Sequence, residues 1–136
     1  MKKSSACLPG LLLTLAVASG CGYAQSNVDF GKTEFMASCA SCHGVSAKGD
    51  GEVAAHLKKA PTDLTTLSQR HGGAFPSQFA REMIDGRAAL AVGSHGVRDM
   101  PVWGQIYRAE DTQPADLHAR NHINSLLDYL ARIQVK

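Results

Sequence analysis

A chain of 136 residues that is 44% hydrophobic and 19% charged, with 14 Lys and Arg against 12 Asp and Glu, has the make-up of one ordinary folded domain. That excludes a disordered tail, a multidomain enzyme and a nucleic-acid binder built on excess positive charge. With only four Phe, three Tyr and one Trp against thirteen Gly, a core made from side chains alone would be thin.

The chain begins with Lys2 and Lys3, an apolar run from Leu8 to Val17 broken by Pro9, Gly10 and Thr14, and small residues from Ala18 to Gly22. This reads as a secretory signal, too short to span a membrane. Two exits are legible. Gly22-Tyr23-Ala24 before Gln25 satisfies the small-x-small rule for release, whereas Ala18-Ser19-Gly20-Cys21 resembles a bacterial lipobox that would place a lipid on Cys21. Ala18 stands where such boxes usually carry Leu, and a helical pattern starting near Val28 leaves a short tether, so cleavage after Ala24 is favoured. Residues 1–24 are then signal and residues 25–136 one domain, with 12 basic and 12 acidic groups and no linker or repeat to divide it.

Ser26 or Asn27 is expected to cap a first helix, with Asp29 in its first turn and Val28, Gly31, Phe35 and Cys39 near one face, ending in the segment from Cys39 to His43. A glycine-rich loop, Gly44 to Gly51, precedes a short helical piece around Val53 to Leu57. Pro61 then breaks the chain before a helical turn from Thr62 or Asp63. Ser77 to Asp85 reads as a helix stopped by Gly86, and residues 86–104 as a long ordered loop. Ile123, Leu126, Leu127, Leu130 and Ile133 recur at helical spacing in a terminal amphipathic helix introduced by Thr112 and Pro114. No stretch alternates like a strand, so the domain is expected to be all-α.

Cys39-Ala40-Ser41-Cys42-His43 is a C-x-x-C-H, the attachment signature of c-type haem. Thiols three residues apart can each form a thioether to one porphyrin vinyl group, and the adjacent His43 then meets the iron. The rivals have less support: a thioredoxin-like dithiol expects a βαβ context, and a zinc site expects four ligands. For the second axial position the candidates are Met36, Met83 and Met100 with His56, His71, His95, His118 and His122. Met36 and Met83 lie in helical patterns where methionine fills cores. Met100 instead sits in the glycine-rich loop, before Pro101, and a thioether suits low-spin iron. His95, in the same loop, is its competitor.

These features together resemble the bacterial class I c-type cytochromes, over essentially the whole of residues 25–136. The resemblance implies a few short helices and long loops around one covalent haem c, anchored by Cys39 and Cys42 and ligated by His43 and Met100. It further implies that the Pro61 carbonyl receives the His43 N–H, that Leu64 packs on the haem, that Trp103 closes the crevice, and that Gly31 and Phe35 cross Leu126 and Tyr129. Arg70, Arg87 and Arg98 are candidate propionate partners.

The implied function is that of a periplasmic electron carrier, not an enzyme, and a monomer meeting redox donor and acceptor proteins. It would touch a membrane oxidoreductase as partner, or the membrane itself only if lipidated. The alternatives are a dedicated haem subunit of a larger oxidoreductase and a haem gas sensor with a labile distal ligand. Basic and acidic groups balance in both halves, so charge does not identify the docking partner.

Overall fold

The computed structural model describes residues 28–87, 100–110 and 114–136. Among these residues six α-helices follow in order: α1 (Phe30–Ser38), α2 (Ala40–His43), α3 (Leu67–Arg70), α4 (Ser77–Asp85), α5 (Trp103–Ala109) and α6 (Ala115–Arg132). Two 3-10 turns, Ala54–His56 and Leu64–Thr66, lie between α2 and α3, and no strand occurs among the described residues. No described helix is long and apolar enough to cross a membrane.

The expected elements are present, with local shifts. Asp29 is the N-cap of α1 and not a first-turn residue: its carboxylate accepts from the Lys32 amide at 3.0 Å. Val28 therefore precedes the helix and is exposed, and the proposed caps Ser26 and Asn27 lie outside the described residues. The first helix stops at Ser38, Cys39 breaks it, and α2 resumes as one separate turn. Gly86 stops α4 with a left-handed φ of 89°. Most of the expected loop of residues 86–104, His95 and Arg98 included, lies outside the described residues, but its end is helical, because Trp103 and Gly104 open α5.

The terminal helix is the spine of the fold. Its residues Ala119, Ile123, Leu126, Leu127 and Leu130 are buried against Phe35, Ala80, Ile84 and Tyr107, so α1, α4 and α5 all pack on it. Full burial of a side chain such as Phe35 or Leu126 is worth about 1.5–3 kcal/mol. The α1–α6 crossing turns on Gly31: a Cβ there would stand 2.0 Å from the Ser125 carbonyl oxygen and 2.8 Å from the Tyr129 Cβ. One turn on, the Phe35 and Tyr129 rings meet at 5.2 Å, and Arg132 pairs with Asp29 at 2.6 Å.

Two polar ties complete the frame. Asp85, buried at the end of α4, pairs with Arg87 at 2.7 Å and with Arg108 of α5 at 2.9 Å, which compensates for a carboxylate at the negative end of a helix. Glu34 accepts from the Tyr107 hydroxyl at 2.6 Å and from Ser38 at 2.7 Å. Burial by itself would raise the Glu34 carboxyl, but the hydrogen bonds from Tyr107, Ser38 and His122 outweigh it and hold the group below its ordinary value.

Gly31→Ala tests the crossing. Alanine gains about 1 kcal/mol of helix propensity, while forcing two helices apart costs about 3 kcal/mol or more. A net loss of about 2 kcal/mol is expected in denaturant unfolding of the purified protein, and a gain would show that the close approach is not what holds α1.

Candidate functional site

The C-x-x-C-H turn is held from behind by the glycine-rich loop. A helix end leaves its last carbonyls without partners, and here the Ser41, Cys42 and His43 carbonyls accept from the amides of Val53, Gly51 and Gly49 at 3.0, 3.2 and 2.8 Å. So close is this return that a Cβ on Gly51 would lie 2.3 Å from the Ser41 carbonyl oxygen. The loop thereby fixes the orientation of a four-residue helix that could not persist alone.

Cys39 and Cys42 form no disulfide and are both half-buried. Burial, with the Glu34 and Cys42 charges behind it, pushes the Cys39 thiol up to about 12.

His43 is oriented through one nitrogen, its Nδ1 lying 3.1 Å from the Thr62 carbonyl oxygen. This corrects the expected partner by one residue. The Pro61 carbonyl is turned onto Gly49 instead, where it leaves no room for a Cβ, so proline places the bend and Thr62 supplies the acceptor. Burial lowers the His43 pKa, against the opposing effect of the Thr62 hydrogen bond. A carbonyl can only accept, so Nδ1 carries the donated proton and Nε2 is the nitrogen free to act as a ligand.

The turn after Thr62 is fixed in its own right. Asp63 caps Leu64–Thr66, accepting from the Thr65 amide at 2.8 Å and its hydroxyl at 2.6 Å. Leu64 donates its amide to the Ala47 carbonyl at 2.8 Å. The carboxy-terminal tail then closes on the same turn: Gln134 donates to the Leu64 carbonyl at 2.8 Å and accepts from the Ser68 amide at 2.9 Å, and the Val135 amide reaches Thr65 at 2.8 Å. Sequence reasoning missed Gln134 altogether, since a lone glutamine near a terminus carries no signal.

Cys39, Leu64, Met100 and Trp103 are all half-buried and pack on the one apolar core, together with Phe75 and Ile133. The fold thus brings expected anchor, packing, axial and closing residues, far apart in sequence, to the same core. Of the other axial candidates, Met36, His56 and His71 are exposed, Met83 is half-buried in α4, His95 lies outside the described residues, and His118 and His122 group with Glu110 where α5 meets α6. Trp103 also stacks on Tyr107 at 5.9 Å; this spacing of four residues was the available signal for α5. Arg87 is engaged by Asp85, and Arg70 donates to the Asp63 and Thr66 carbonyls, so both guanidinium groups brace their own loops.

Two thiols and an imidazole on one turn, with Cys39 of that turn and the Met100 thioether both packed on the apolar core, form a donor set that fits covalent haem. A family model for cytochrome c matches residues 28–119. No curated protein and no solved structure matches the chain.

Asp63→Ala is expected to remove about 1 kcal/mol of stability at pH 7 by loss of the cap. The Thr65 hydroxyl and amide pull the Asp63 carboxyl below its ordinary value, so its contribution is present above the unfolded value and disappears as pH falls through the folded one. The stability gap between wild type and variant, followed by urea unfolding across pH, should close below about pH 4. A gap independent of pH would remove the carboxylate from this role.

Proposed function

The chain belongs to the cytochrome c family, and from that membership we propose that it is a periplasmic carrier of single electrons with one haem c bound through Cys39 and Cys42. Membership implies a covalently bound haem c, haem-based electron transfer and redox partners in general. Axial ligation by His43 and Met100, export on the signal of residues 1–24 and the role of a free monomeric shuttle are the finer parts of the proposal. The observation that supports it is that Met100, Leu64, Trp103 and Cys39 all pack on one core, with His43, four residues after Cys39, oriented by the Thr62 carbonyl.

When bound, haem supplies a ferric/ferrous couple that accepts and returns one electron without bond rearrangement. The protein's share of the work is positional. Cys39 and Cys42 anchor the group on a turn whose carbonyls are tied down by the glycine-rich loop. His43 presents Nε2, its basicity raised by the hydrogen bond from Nδ1 to Thr62. Met100 offers a soft neutral sulfur, and pairing it with imidazole favours the reduced state more than two imidazoles would. Leu64 and Trp103 keep water from the site, and a scaffold that does not rearrange between oxidation states keeps the reorganisation cost of transfer low.

The test is the intact mass and the oxidised and reduced spectra of the exported protein, with Met100→Ala beside it. The reading expects the mass of residues 25–136 plus one haem, and a sulfur-to-ferric-iron charge-transfer band that the variant lacks. It also expects a lower reduction potential in the variant. Rapid carbon monoxide binding by the reduced wild type would overturn the carrier reading in favour of an open-site sensor, and co-purification with a large oxidoreductase would replace the free shuttle by a subunit.

A further inference from the structure

A second group of donors lies where α5 ends and α6 begins. His118 and His122 are four residues apart on α6 and therefore on one face, their rings 4.4 Å apart. Glu110, just beyond α5, brings a carboxylate oxygen to 2.9 Å from Nε2 of His118. One donor atom from each of Glu110, His118 and His122 falls within 4.8 Å of the others, and this is the one such triad among the described residues.

What distinguishes the triad from an ordinary ion pair is the support behind it. A Glu–His pair between two helices needs a single histidine, and His118, largely buried, already satisfies Glu110. His122 is held independently: its Nδ1 meets Glu34 at 2.9 Å, leaving Nε2 to coordinate. Glu34 is itself immobilised by Tyr107 and Ser38, and the Tyr107 ring lies 4.7 Å from that of His122. A carboxylate behind a histidine is the usual means of orienting a metal-ligating imidazole and raising its basicity.

We propose that Glu110, His118 and His122 form a site for a divalent transition-metal ion of the zinc class, with Glu34 as the positioning residue for His122. Two imidazoles and a carboxylate suit a borderline ion, and three protein donors leave a further position to water. The ion would take the Nε2 lone pair of neutral His118, whose single ring proton then sits on Nδ1. Donors about 2 Å from a tetrahedral zinc ion stand about 3.3 Å apart, so the triad must tighten. Glu110 is the member free to do so, its side chain being 50% exposed.

Isothermal titration of the tag-free haem-loaded protein with Zn²⁺ alone tests this. One equivalent is expected to bind to the wild type, about tenfold or more weaker in Glu110→Gln and in Glu34→Gln, and about a hundredfold weaker in His122→Asn. A control with the exposed histidines replaced, His56→Asn with His71→Asn, should bind as the wild type does. Because Glu110 is exposed, Glu110→Gln carries the test even where His122→Asn impairs folding. The site is overturned if the wild type binds no zinc tighter than about 1 mM, if Glu110→Gln binds with wild-type affinity, or if the control loses binding. Unchanged affinity in Glu34→Gln would overturn the positioning role.

Discussion

The approach of α1 to α6 at Gly31 is the constraint on which the other features rest. It lets Phe35 meet Tyr129 and sets the direction in which the first helix delivers Cys39 to the core. The same placement points Glu34 at Tyr107 and His122. One missing methyl group thus governs both the C-x-x-C-H turn and the carboxylate network beside it. Neither could tolerate the shift of an ångström or more that a larger residue would impose on packed helices.

The site is built from weak local pieces made rigid by mutual hydrogen bonding. A single helical turn, two 3-10 turns and a glycine-rich loop have little stability of their own. Their unpaired carbonyls and amides meet one another: α2 with the loop of residues 49–53, Leu64 with Ala47, and the tail with the Leu64–Ser68 turn. Preorganisation of this kind suits a protein whose cofactor must not be displaced as it changes charge.

Covalent chemistry and strong periodicity were what could be read from the residues. The C-x-x-C-H motif names its own partner chemistry, the apolar stripe from Ile123 to Ile133 announces its helix, and Gly86 marks a stop that its φ explains. Contacts decided by three-dimensional geometry were less accessible. The His43 acceptor is off by one residue because a proline's place in a motif does not say which carbonyl its bend turns inward. The short α5 escaped because seven residues show barely two turns of pattern, and Gln134 and the Glu110, His118 and His122 triad gain meaning only when distant segments meet.

The ion pair between Asp29 and Arg132 closes a loop of 103 residues. Contacts of such long range make folding wait on the end of the chain. Until α6 is made, α1 has nothing to cross and Cys39 lacks the core it packs on. Only when the last helix arrives does the crossing draw Cys39 towards the core. The topology therefore sets an order in time: the segment that carries the thiols is made early, and the crossing that half-buries Cys39 waits for α6.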